Sequence, residues 1–161
     1  MRLLSFLLFA SANALTLRPG VAAPRVTTRG SQPVSSAVDP TTLPGDPSLI
    51  LTTNVKLNDK AAFVKSASEA IASCLSKPEQ YVAVCITDEH DGMSFGGTTD
   101  PTALGCVYSI GQINQENNGA VQAAISELLE KHGGVPNDRI YINYFDVERA
   151  NCGWSGRTFA G

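Results

Sequence analysis

Four cysteines and two histidines are the side chains best able to hold a metal or act as nucleophiles, and their spacing works against both roles. Cys74, Cys85, Cys106 and Cys152 are scattered over the last two thirds of the chain without a CxxC pair. A disulfide framework belongs to smaller, more cysteine-dense domains. The expectation is four buried or half-buried free thiols. His90 and His132 stand in no spacing that would complete a zinc site with these cysteines. No HExxH helix and no glycine-rich phosphate loop occurs. Metal-assisted hydrolysis and nucleotide chemistry are therefore not indicated, and no cofactor is implied.

Charge and composition narrow the partners. The 161 residues carry a net charge of −3, with a pI near 5.3. Phosphate backbones need a basic surface, so nucleic acid is not expected as a partner. No segment is long and apolar enough to span a bilayer. Hydrophobic residues make up 43%, enough for one packed domain.

Composition changes sharply near residue 47. Residues 1–46 contain five of the nine prolines, no lysine, and only Asp39 and Asp46 as acids. Residues 47–161 contain thirteen of the fifteen acids and eight of the twelve basic residues. Residues 1–14 read as a signal peptide. Arg2 precedes the apolar run Leu3–Ala10, and Ala12-Asn13-Ala14 is a small-x-small cleavage site. Residues 15–46 hold Arg18, Arg25 and Arg29 among many Ser, Thr and Pro. They read either as a disordered linker or as a transit-like segment. The two readings lead to the secretory pathway and outside of the cell, or to a complex plastid through a bipartite targeting sequence. Both stay open.

Residues 47–161 form the folded domain. Ser48–Thr53 is a short β-branched strand candidate. Asn58 can cap a helix, with Asp59 in its first turn. Ala61, Val64, Ala67, Ile71, Cys74 and Leu75 recur at helical spacing, and Lys77-Pro78 ends that helix. Tyr81–Ile86 is a second strand, apolar enough to be buried on both faces. The pattern repeats. Cys106–Ile110 is a strand, and Val121, Ala124, Ile125, Leu128 and Leu129 form a helical stripe stopped by Gly133-Gly134 and Pro136. Ile140–Phe145 is the strongest strand. Two strand–helix–strand units predict a four-stranded α/β sheet with both helices on one face. The other face needs cover, most simply from further copies of the chain.

Several blocks in this order resemble one family. They are Lys77-Pro78-Glu79-Gln80-Tyr81, Phe95-Gly96-Gly97 with Asp100-Pro101, Ser109-Ile110-Gly111, Asp138–Tyr144, and Asn151-Cys152-Gly153-Trp154 with Thr158-Phe159-Ala160. The chain is identified from them as resembling the macrophage migration inhibitory factor family, over Pro47–Ala160. The resemblance implies an α+β fold of order β-α-β-β-α-β, a pseudo-two-fold doubling of one β-α-β unit, assembled as a homotrimer with sites between subunits. It implies keto–enol tautomerisation of a small aromatic 2-keto acid or enol, of the phenylpyruvate or L-dopachrome type.

The residue roles follow from the same resemblance. Pro47 stands where the family has its N-terminal prolyl base, so a free amine requires cleavage after Asp46. Lys77 matches the lysine that meets the substrate carboxylate. Ile110 lines the pocket, and Asn143 comes from the neighbouring subunit. Tyr141, two residues earlier on the same strand face, accompanies it. Tyr81, Trp154 and Phe159 are the candidates for an aromatic wall. Some positions depart from the family. Ser48 follows the proline, Thr102-Ala103-Leu104-Gly105 replaces a CxxC, Tyr108 replaces a histidine and Cys152 a valine. Thiol–disulfide chemistry is therefore not expected. The competing implication is a secreted, cytokine-like protein that binds a receptor and keeps the pocket as a vestige.

Overall fold

The computed structural model describes residues 46–161. The signal-peptide and leader readings fall outside them. The first unit is β1 (Ser48–Thr53), α1 (Lys60–Cys74) and β2 (Ala83–Thr87). The second is β3 (Ala103–Ser109), α2 (Gln115–Gly133) and β4 (Ile140–Asp146). Each unit closes with a parallel strand pair, β1 with β2 and β3 with β4. The units join through the antiparallel pair β1–β3, giving the order β2-β1-β3-β4. The predicted doubled β-α-β arrangement is present. A short hairpin, β5 (Gly153–Trp154) and β6 (Arg157–Thr158), forms the C-terminal tail.

The core lies between the sheet and the helices. Leu49 and Leu51 of β1, Ala103 and Val107 of β3, and Ile140 and Ile142 of β4 meet Phe63, Ala67, Ile71, Val121, Ile125 and Leu129 of the helices. Both helices thus cover the same face. The α1 stripe runs 63-67-71, continued by Leu75, at a spacing of four, whereas the sequence pattern placed Ala61 on it; Ala61 is exposed. The N-cap is Asp59 rather than Asn58, its carboxylate accepting from the Ala62 N–H at 2.9 Å. At the end of α2, Gly134 takes a left-handed conformation at φ 66°, as the Gly-Gly pair predicted.

One strand differs from expectation. The segment 79–81 forms a turn of 3-10 helix, and β2 begins at Ala83. It is an edge strand, half-buried on one side and exposed on the other, not buried on both. Apolar content alone does not reveal how many neighbours a strand acquires.

The sheet face away from the helices is open. Ile50, Leu104, Tyr141 and Phe145 are 50%, 52%, 63% and 45% exposed there. Across this face Cys85, Ile50, Cys106 and Asn143 stand in register on successive strands. All four cysteines are free thiols. Cys85 is exposed on this face, against the expectation that every thiol would be at least half-buried.

Candidate functional site

Pro47 is buried immediately before β1, and its carbonyl accepts the Ala83 N–H at 2.9 Å. This bond holds the start of β1 against the start of β2. Beside it, Asp46, Gln80, Tyr81, Val82, Ala83, Gly153, Trp154 and Phe159 line a cleft of about 270 Å³. The three aromatic candidates therefore do converge. Trp154 and Phe159 stack at 6.2 Å with 14° between planes, and Tyr81 meets Trp154 edge-on at 6.1 Å. Such pairs contribute about 0.5–1.5 kcal/mol beyond their burial. The tight β5–β6 turn, with Ser155 and Gly156 at positive φ, folds the tail back so that Phe159 reaches Trp154.

Lys77 is buried at 7% exposure, and its ammonium donates to the Ile110 carbonyl at 3.0 Å. Two residues singled out separately in sequence are thus in direct contact. The left-handed Ser76, at φ 50°, turns the chain after α1 and points it at this contact. Burial, and then the charge of Arg149, lower the Lys77 pKa below the ordinary lysine range, while Asp146 acts in the opposite sense. An ammonium so placed keeps N–H groups free for an incoming anion, since among the described residues it meets a single neutral carbonyl as acceptor.

Tyr141 and Asn143 lie elsewhere. Both are exposed on the open face of β4, and Tyr141 packs on Phe95 at 4.7 Å. Tyr141, with Phe95, Met93, Thr102 and Leu104, lines a second, broader hollow of about 550 Å³, which Asn143 does not reach. One chain alone does not bring these two residues to the cleft beside Pro47. Two strands separate β4 from β2, whose first residue borders that cleft.

Arg149 escaped sequence reasoning altogether, and so did the contact that joins Asp46 to Cys152. Asp46 accepts from the Ser48 hydroxyl at 3.1 Å and from the Cys152 thiol at 3.2 Å. Burial first, then the Asp46 carboxylate, push the Cys152 thiol up to about 11. Arg149 donates through Nη2 to the Phe159 carbonyl at 2.6 Å, and its guanidinium stands 6.0 Å from the Phe159 ring centroid. The Cys152–Asp46 contact spans 106 residues, so no local pattern could announce it. Among the described residues no group of three His, Cys, Asp or Glu side chains converges as a metal site would. No described helix is long and apolar enough to cross a membrane.

Known proteins resemble this chain in sequence and fold. The sequence model of the family described as Macrophage migration inhibitory factor (MIF) matches residues 46–160. A macrophage migration inhibitory factor homolog of Trichinella spiralis is 39% identical over 114 residues, covering 70% of this chain and 99% of that protein. The macrophage migration inhibitory factor of Rattus norvegicus is 37% identical over 115 residues, covering 71% and 99%. Among solved structures, the Toxoplasma gondii protein superposes with a TM-score of 0.65 at 35% identity, covering 70% of this chain and 99% of that one. The homologue from Prochlorococcus marinus gives 0.66 at 32% identity, covering 70% and 98%. Residues 46–160 thus correspond to the whole length of proteins that stand alone, and the chain belongs to the macrophage migration inhibitory factor family.

Proposed function

We propose that the chain is a keto–enol tautomerase whose general base is the amine of Pro47, acting on a small aromatic 2-keto acid of the phenylpyruvate type. The observation that carries this reading is the placement of Pro47. It is buried at the head of β1, next to a cleft walled by Tyr81, Trp154 and Phe159, in the same fold that holds Lys77 against Ile110. A cleft of about 270 Å³ suits one ring and a short acid chain.

The chemistry asks little of the protein. A general base works best with a pKa near the working pH. An α-amino group titrates at about 7.7–8.0 in water. Apolar walls and a neighbouring cation disfavour its protonated form and move it lower. The neutral amine takes a proton from the carbon beside the carbonyl, and the ammonium so formed returns one to the enol. Lys77 receives the substrate carboxylate, the aromatic wall holds the ring, and the Ile110 segment lines the pocket. Asn143 and Tyr141 complete the site from a neighbouring copy in a homotrimer, which also covers Ile50, Leu104 and Phe145.

An amide nitrogen is no base, so the reading requires the bond after Asp46 to be cut. In the proposed route a signal peptide ends near Ala14 and a second cleavage exposes Pro47, in the secretory pathway or in a plastid. Mass spectrometry of the native protein tests this step, with Pro47 expected at the N-terminus. A chain beginning at Pro47 is expected to convert phenylpyruvate between keto and enol forms, and Pro47→Gly to lose most of that activity. Full activity in Pro47→Gly would remove the amine from the mechanism.

One observation favours a second reading, a cytokine-like binding protein with a vestigial pocket. In the uncut chain Asp46 itself lines the cleft, tied to Ser48 and Cys152. Native protein that retains Asp46 and binds a receptor regardless of Pro47 substitution would select that reading.

A further inference from the structure

The charges around the cleft do not balance. Lys77 is 7% exposed, yet among the described residues the only hydrogen-bond partner of its ammonium is the neutral carbonyl of Ile110. Arg149 spends Nη2 on the Phe159 carbonyl, and its Nη1 is buried with no partner among the described residues. The ion pairs among the described residues are Lys60–Asp88 and Lys65–Glu69, so neither cation has a carboxylate within reach of direct pairing. Asp146 is near enough to act on Lys77, but it is exposed and its Oδ1 accepts the Gly111 N–H at 2.8 Å. Buried cations are ordinarily paired, because leaving water costs them several kcal/mol. A buried Lys77 beside a half-buried Arg149, with no carboxylate paired to either among the described residues, favours an anion that joins them.

Arg149 is also mechanically placed. It grips the last aromatic residue from ten positions away, through a charge-assisted hydrogen bond to the backbone and a cation over the ring. Phe159 in turn stacks on Trp154, which lines the cleft. A lysine could supply the charge but not the planar fork that makes both contacts.

We propose that Arg149 is the specificity-determining positioning residue of this chain: it pins the Phe159–Trp154 wall and, with Lys77, makes the cleft select ligands that carry a carboxylate. The proposal rests on the tautomerase reading of the cleft and adds Arg149 to the residues that enforce its preference for an acid. Arg149 acts through Phe159 and Lys77 and touches no reacting atom.

Calorimetric titration of a chain beginning at Pro47 with phenylpyruvate, and separately with phenylpyruvate methyl ester, tests it. The quantity read is the ratio of the two affinities. In Arg149→Met the preference for the acid over the ester is expected to fall about tenfold, because one of the two neighbouring positive charges is lost and the wall is released. In Arg149→Lys the preference is expected to stay within about threefold of the parent, because the charge remains. Trp154 is the only tryptophan, so its emission reports the wall. Emission is expected to shift in both variants, because both lose the fork on Phe159. An unchanged acid-to-ester ratio in Arg149→Met, or Trp154 emission unchanged in both variants, overturns the proposal. Because the titration reads binding, the two readings fail separately. Binding with the predicted ratio but no keto–enol conversion refutes the tautomerase and leaves the role of Arg149. Conversion with an unchanged ratio does the reverse.

Discussion

The open face of the sheet makes a quantitative prediction. Leu104 stands near its middle on β3, paired in register with Thr52 on one side and Tyr141 on the other, and is 52% exposed. Fully burying a leucine contributes about 1.5–3 kcal/mol, so covering the exposed half is worth roughly 1 kcal/mol per copy. Leu104→Lys removes this gain and sets an ammonium where the described face offers Ile50, Tyr141 and Thr52 rather than a carboxylate. An unpaired buried charge costs several kcal/mol. In a three-fold assembly the penalty recurs in every copy. At about 1.4 kcal/mol per factor of ten, even a single penalty of 4 kcal/mol weakens association by roughly a thousandfold. Leu104 is absent from the helix-side core, so the fold of each chain is expected to persist. Sedimentation velocity at micromolar concentration is expected to show the parent as a trimer and Leu104→Lys as a monomer, with matching far-ultraviolet circular dichroism. Tautomerase activity is expected to fall with the trimer, because Tyr141 and Asn143 would no longer reach a neighbour's cleft. A Leu104→Lys protein that sediments with the parent would refute the idea that this face is where copies meet.

Three further outcomes are expected. A Cβ at Gly105 would lie 2.7 Å from Leu51 Cδ1 and 2.8 Å from the Ile50 carbonyl, so Gly105→Ala forces β1 and β3 apart. A stability loss of about 1–3 kcal/mol is expected in thermal or urea unfolding, and an unchanged midpoint would contradict it. In the uncut chain iodoacetamide at mildly alkaline pH is expected to modify Cys152 only slowly, because its thiol is held near 11. In a chain beginning at Pro47 the Asp46 carboxylate is gone, and Cys152 is expected to react faster; peptide mapping showing equal rates in both forms would refute the coupling. The Lys77 ammonium is held below the ordinary lysine range by burial and then by Arg149. Its grip on a carboxylate is therefore full below that lowered pKa and weakens as pH rises through it. The same depression means the folded state gains relative stability above the unfolded lysine pKa and loses it as pH falls through the folded value. Phenylpyruvate affinity followed upward from neutral pH, and its flattening in Lys77→Met, checks the sign.

Much of this architecture is written locally in the sequence. The end of α2 is specified by Gly133-Gly134 and Pro136, and β4 by a run of β-branched and aromatic residues broken only by Asn143 before Asp146. The errors arise where a tertiary neighbour decides. Asn58 and Asp59 are both good caps, and the choice between them depends on where Asp88 anchors the approach: its carboxylate accepts the Leu57 N–H at 3.3 Å and pairs with Lys60. Phe63 lies a turn of helix before Ala67, yet only its packing on the edge of the His132 ring, at 5.9 Å, shows which side of α1 faces α2. The apolar run of β2 gave no sign that it would sit at the sheet edge. At the site, the matching blocks of sequence placed Pro47, Lys77, Ile110 and the aromatic wall. Arg149 belongs to no such block, and its grip on Phe159 exists only after the β5–β6 turn has closed.

Asp46 ties these threads together. In the uncut chain its carbonyl acylates Pro47, so the nitrogen cannot serve as a base. Its carboxylate also stands in the cleft, held by Ser48 and Cys152, where it places a negative charge beside the walls that would receive an anionic substrate. Like charges in a half-buried cleft repel, so the Asp46 carboxylate disfavours an anionic ligand there. Cleavage after Asp46 reverses both conditions. It turns an amide into an amine and removes the one carboxylate lining the cleft, leaving Lys77 and Arg149 to an incoming acid. On this reasoning a chain that keeps only Asp46 ahead of Pro47 is expected to be inactive and also to bind phenylpyruvate more weakly than Pro47→Gly, which lacks the ring but carries a free amine and no Asp46. Equal affinity of the two for phenylpyruvate would show that acylation of the nitrogen, and not the Asp46 charge, is all that separates the uncut chain from the cut one.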